Sequence, residues 1–95
     1  MTEAAADERQ EGFRVHGRVQ GVGFRWWTRE TARGLDVRGT VANRPDGTVE
    51  VHVNGTQKAV ELFAEQLAEG PWGARVDRVV PFPSDRVLPP DFEIG

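Results

Sequence analysis

Phe13-Arg14-Val15-His16-Gly17-Arg18-Val19-Gln20-Gly21-Val22-Gly23-Phe24-Arg25-Trp26-Trp27-Thr28 changes its period halfway along. Phe13, Val15, Gly17 and Val19 share one parity and Arg14, His16 and Arg18 the other, the pattern of a strand with one wet face. After the turn at Gln20-Gly21-Val22-Gly23, Phe24, Trp27, Thr28, Thr31 and Leu35 recur near helical spacing, and Gly34 is placed to end the helix in a left-handed conformation. The unit is strand, glycine turn, helix.

Period two resumes at Val37, Gly39 and Val41, and Asn43-Arg44-Pro45-Asp46-Gly47-Thr48 has the residues of a hairpin turn. Val49, Val51 and Val53 alternate with Glu50 and His52 on the return strand. Val60, Phe63, Ala64 and Leu67 then form an apolar stripe opposite Lys58, Glu61, Glu65 and Glu69, and Gly70-Pro71 stops this second helix. Val76, Val79, Val80 and Phe82 suggest a fourth strand, and Phe92 and Ile94 a short extra one. The order β-α-β-β-α-β predicts an α+β, ferredoxin-like sandwich with an antiparallel sheet and both helices on one face. Because one crossover joins the first two strands, they run parallel. The glycine turn and Asn43 then lie on the same rim of the sheet. Asn43 shares parity with Val41, so its side chain is expected on the helix-covered face, where Arg25 can be its neighbour.

A chain of 95 residues allows one domain and one core. Few apolar residues before Gly12 suggest a disordered acidic tail over residues 1–12, leaving 13–95 as the domain. No stretch approaches the roughly 18 apolar residues of a membrane span, and the opening Met-Thr-Glu-Ala-Ala-Ala-Asp-Glu-Arg is unlike a signal peptide, so a cytoplasmic location without membrane partners is expected. With no Cys there is no thiolate nucleophile, disulfide or Cys-bound zinc. Ser84, the single Ser, lies between Pro83 and Asp85, so serine-hydrolase chemistry has no credible nucleophile. The net charge of −3 hides a split: residues 13–44 hold seven Arg against Glu30 and Asp36, whereas residues 45–95 carry four bases against nine acids. The Arg-rich half favours an anion, although most of its arginines are read as solvated.

Gln20-Gly21-Val22-Gly23-Phe24-Arg25 brings successive backbone N–H groups to a helix N-terminus, where the macrodipole favours negative charge. Glycine lets the backbone approach an anion, and Arg25 adds a fork suited to phosphate oxygens. A strand-to-helix turn also contains Gly for steric reasons alone, and this one lacks both the Lys-Ser/Thr of a P-loop and the third glycine of a dinucleotide fingerprint. Asn43 likewise has two readings. It is a turn residue bonded to its own backbone, or a neutral amide that orients a water toward a bound phosphate without repelling it.

The same residues resemble the acylphosphatase family. The resemblance rests on Val15-His16-Gly17-Arg18-Val19-Gln20-Gly21-Val22-Gly23-Phe24-Arg25, then Gly39-Thr40-Val41-Ala42-Asn43, Asp46-Gly47-Thr48-Val49-Glu50, and Gly70-Pro71 followed by Ala74 and Val76. It covers roughly residues 13–95 and implies hydrolysis of acyl phosphates to a carboxylate and inorganic phosphate, with no metal and no cofactor. Matching motif positions make Arg25 the phosphate-binding arginine and Asn43 the water-positioning asparagine, with the backbone of Gln20, Gly21, Val22, Gly23 and Phe24 as the cradle. Inorganic phosphate is the expected product inhibitor, and the chain is expected to act as a monomer. The acidic tail has no family counterpart, and the end at Ile94-Gly95 is short for the family's closing strand.

Rival classes make different demands. An RNA-binding sheet stacks bases on outward aromatics of its first and third strands, where this chain carries Arg14, His16, Arg18 and Thr48, Glu50, His52, so nucleic-acid binding is disfavoured. A noncatalytic acylphosphatase-like module that binds a small anion for regulation is the remaining alternative, and turnover of benzoyl phosphate separates it from the enzyme. His16 and His52 read as surface histidines, not metal ligands, and Trp27 as core. Trp26 lies off the core stripe, shielding either the site or a nearby apolar edge.

Overall fold

The computed structural model describes residues 7–95. The elements are β1 (Glu8–Arg18), α1 (Phe24–Gly34), β2 (Arg38–Asn43), β3 (Val49–Thr56), α2 (Gln57–Glu69), β4 (Arg75–Phe82) and β5 (Phe92–Ile94). They form one five-stranded sheet in the order β4-β1-β3-β2-β5. β1 pairs antiparallel with β3 and β4, β3 pairs antiparallel with β2, and β5 joins β2 in parallel. β1 and β2 therefore run the same way on either side of β3, as the crossover requires, and the arrangement is ferredoxin-like. No helix among the described residues is long and apolar enough to cross a membrane.

Alternation accounts for the two faces. Phe13 and Val15 of β1, Val41 of β2 and Val49, Val51 and Val53 of β3 are buried against Phe24, Thr28 and Ala32 of α1 and Val60, Phe63 and Leu67 of α2. Phe63 joins the layers, its ring centroid 6.3 Å from those of Phe13 and Phe92. Burial of so many branched side chains, at about 1.5–3 kcal/mol each, is the main force holding helices to sheet. α2 starts where the Thr56 hydroxyl accepts the Ala59 N–H at 3.1 Å, an N-cap bond.

Three expectations differ from what is observed. β1 begins at Glu8, so residues 8–12 of the expected tail are strand; residues 1–6 lie outside the described residues. A ladder needs backbone groups more than apolar side chains, and Glu8 to Gly12 pair with Thr56 to His52 of the long β3. The Gln10 amide also donates to the Arg86 carbonyl at 2.7 Å.

The end of α1 also differs: Gly34 is helical, and the left-handed residue is Asp36, with φ 63°. Val37 N–H bonds to Ala32 O at 3.0 Å and Asp36 N–H to Arg33 O at 3.2 Å, a Schellman closure with Asp in the usual place of glycine. Asp tolerates this conformation better than most side chains.

The third difference is His52, which is 5% exposed rather than on the surface. β4 and β5 are opposite edges of the sheet, so residues 83–91 must cross its outer face to connect them. The Ser84 hydroxyl meets His52 Nδ1 at 2.7 Å, and Arg38 donates to the carbonyls of Leu88 and Pro89 at 3.0 and 3.1 Å. Phe82 packs edge-on against the imidazole, centroids 5.3 Å apart.

Candidate active site

The turn between β1 and α1 is built for close approach. Gly21 and Gly23 have φ of 78° and 75°, and a Cβ at either would meet nothing within 4 Å. Glycine is needed there for its backbone angles, not for space. Gly23 is the N-cap of α1 with no side-chain cap, and the first helical bond is Trp27 N–H to Gly23 O at 3.0 Å. The N–H groups of Phe24, Arg25 and Trp26 precede that bond and have no intrahelical acceptor, so they give the helix end its positive character.

A cavity of about 190 Å³ opens at this helix end. Val19, Gly21, Gly23, Phe24, Arg25 and Trp26 line it from the β1–α1 side, Asn43 from the end of β2 and Ile94 from β5. Arg25 and Asn43, far apart in sequence, thus share one cavity. Gln20 and Val22, expected in the cradle through their backbone, direct their side chains away from it. Gln20 turns its side chain toward the hairpin, where its amide donates to Arg44 O at 2.8 Å and Thr48 O at 2.9 Å. Val22 packs its side chain on the core cluster. Gln20 thus ties the glycine turn to the segment that follows Asn43.

Two further features hold the neighbourhood of Asn43. Asp46 makes the side-chain bonds within the hairpin turn, its Oδ1 accepting from the Thr48 N–H at 3.0 Å and the Thr48 hydroxyl at 2.6 Å. These bonds hold the Asp46 carboxyl below the usual carboxylate range. Behind the hairpin, Glu50 receives Arg14 at 3.0 Å, Arg44 at 3.4 Å and Arg86 at 3.5 Å, and its other contact is His52 Nε2 at 2.8 Å. The hydrogen bond from His52 lowers the Glu50 pKa, with help from the nearby charges and against its partial burial. Arg44 follows Asn43 directly, so this cluster anchors the end of β2.

Neither Ile94 nor Gly95 was expected at the site. Arg25 Nη1 donates to the Gly95 carbonyl at 3.3 Å, while Gly95 N–H bonds to Val41 O at 2.8 Å. Gly95, tied to β2 just beyond β5, therefore gives the guanidinium a backbone acceptor. Apolar parity revealed that strand in the sequence, but nothing there revealed which edge it joins.

A larger cavity, about 390 Å³, lies elsewhere, bordered by Arg33, Asp36, Arg38, Asn54 and Asp91 among others. Its guanidinium groups are engaged, Arg33 with Asp91 at 3.2 Å and Arg38 with two backbone carbonyls. The helix start beside it, that of α2 at Thr56, is already capped: the Thr56 hydroxyl takes the Ala59 N–H at 3.1 Å and Asp7 O takes the Gln57 N–H at 2.9 Å. Size alone does not locate the anion site. Among the described residues, no three His, Asp or Glu side chains gather where they could hold a metal ion.

Residues 11–94 match the family described as Acylphosphatase. The chain belongs to the acylphosphatase family. It is 52% identical over 71 residues to an acylphosphatase of Nitratidesulfovibrio vulgaris, a match covering 75% of this chain and 71% of that protein. Among solved structures, an acylphosphatase from Coxiella burnetii superposes with a TM-score of 0.88 at 33% identity, covering 100% of both chains. One from Bacillus subtilis gives a TM-score of 0.84 at 33% identity, covering 90% of this chain and 97% of the other. The cavity at the helix end thus sits within a chain that is acylphosphatase in both sequence and fold.

Proposed function

We propose that this acylphosphatase hydrolyses acyl phosphates with Arg25 and the amides of the glycine turn binding the phosphoryl group and Asn43 orienting the attacking water. The observation that carries this reading is the shared cavity: a cation and a neutral amide from different elements border the N-terminus of α1. Phosphoryl oxygens are matched by the fork of Arg25 and the free N–H groups of the first turn. Asn43 accepts a hydrogen bond from the water through its side-chain oxygen and adds no negative charge beside the phosphate.

The chemistry asks for little more. The water oxygen bonds to phosphorus as the phosphorus–oxygen bond to the acyl group breaks; the electron pair leaves on a carboxylate, and the water's proton stays on the phosphate product or passes to solvent. Its conjugate acid has a pKa of about 4, so no general acid is needed. Charge on the peripheral oxygens grows in a loose transition state, where fixed donors are most effective. Inorganic phosphate, which keeps the phosphoryl oxygens, is a product inhibitor in this scheme. All the groups invoked belong to one chain, so a monomer suffices. An outer face that stacks nucleic-acid bases is disfavoured, because Arg14, Glu50, His52 and the crossing segment 83–91 occupy it.

Arg25→Ala tests the reading. Steady-state hydrolysis of benzoyl phosphate and inhibition by inorganic phosphate should both be lost, with Lys restoring only part. An Ala variant with unchanged rate and phosphate affinity would remove Arg25 from the site.

A further inference from the structure

Trp26 is 59% exposed, although exposing an indole gains nothing for the fold. It sits outside the buried stripe of α1, made by Phe24, Thr28 and Ala32, and its neighbour Trp27 supplies the packing, with its ring centroid 5.4 Å from that of Phe24. Trp26 instead lines the cavity that contains Arg25 and Asn43, together with Ile94, itself 36% exposed. The anion-binding groups belong to the backbone and Arg25, whereas Trp26 and Ile94 give the same cavity an apolar, partly open border.

An acyl phosphate has two unlike ends. With its phosphoryl group held at the start of α1, its acyl group must extend away from the cradle. We infer that Trp26, backed by Ile94, forms the acyl-group subsite and selects acyl phosphates with planar, apolar acyl groups over small ones such as acetyl. This rests on the phosphoryl-binding role given above to the glycine turn and Arg25. Indole offers a rigid face on which an aromatic acyl group stacks, and the contact buries apolar surface on both partners. An acetyl group is too small to cover that face and gains little from it. The contact is with the part of the substrate that does not react, so it strengthens ground state and transition state alike and acts on KM rather than kcat.

The test compares benzoyl phosphate and acetyl phosphate on wild type, Trp26→Ala and Trp26→Phe, with inhibition by inorganic phosphate measured on each. Trp26→Ala should raise KM for benzoyl phosphate by about tenfold, the scale of a lost aromatic contact, with kcat within about twofold. KM for acetyl phosphate and inhibition by phosphate should stay at wild-type values, and Phe should recover most of the benzoyl phosphate affinity. Equal losses on both substrates, or no loss on either, would overturn the subsite while leaving the phosphoryl site standing. A wild-type protein that neither turns over acyl phosphate nor binds phosphate would overturn the underlying reading, and the subsite with it.

Discussion

Asn43→Ala separates the two roles open to this residue, and the structure sets the size of each effect. Asn43 is exposed at the end of β2, and the adjoining turn is held by Thr48 donating to the Asp46 carboxylate and by the Gln20 amide donating to the Arg44 and Thr48 carbonyls. Removing an exposed amide that the turn does not depend on should change stability by no more than about 0.5 kcal/mol, the usual range for surface positions. For a domain of this size that is a shift of about 2–4 °C in Tm. If Asn43 orients the water, the rate effect is far larger: loss of one positioned polar group from a catalytic site costs about 100- to 1000-fold in kcat, or roughly 3–4 kcal/mol. Inhibition by inorganic phosphate should remain near wild type, because the anion is held by Arg25 and the backbone. Asn43→Asp should be no better than Ala, since a carboxylate would face the phosphate's charge. Thermal melts, phosphate inhibition and benzoyl phosphate kinetics on the same preparations give all three quantities. A folded Ala variant with wild-type kcat would refute the water-orienting role, and a large drop in Tm with kcat intact would return Asn43 to the turn.

Glu50 has a folded-state pKa below its ordinary value of 4.5, so its contribution is present above that pH and is lost as pH falls through the lowered value. Glu50→Gln should be less stable than wild type at neutral pH, and the gap should narrow in acid; chemical denaturation from pH 7 to pH 3 checks this, and a constant gap would contradict it. Gly34→Ala should stabilise the protein by about 0.5–1 kcal/mol, because Gly34 is helical and an added Cβ meets nothing within 4 Å. A fall in Tm would show that α1 needs glycine there. Exhaustive chelation should leave turnover unchanged, since no cluster of metal-binding side chains exists among the described residues. Loss of activity with EDTA and its return on adding a divalent ion would contradict the mechanism.

Period and punctuation made most of the fold legible. Alternating valines at 49, 51 and 53 specify a half-buried strand without any knowledge of its neighbours, and Gly21 and Gly23 mark a turn that L-side chains resist. The crossover rule puts Asn43 on the same rim as Arg25 from the sequence alone. Local chemistry did not decide the rest. Gly34 and Asp36 both suit a left-handed residue in the sequence, and the hydrogen bonds of the closed helix end selected Asp36. His52 alternates like a surface residue because parity reports only the face of a sheet, not what later covers that face. Burial came from residues 83–91, whose proline-rich sequence has no period and whose path follows from the need to join two opposite edges of the sheet. The same edge pairing brings Ile94 and the Gly95 carbonyl to Arg25. Strand identity is encoded within a few neighbouring residues, whereas the partner of an edge strand depends on hydrogen bonds between residues some fifty positions apart, such as that from Gly39 N–H to Asp91 O.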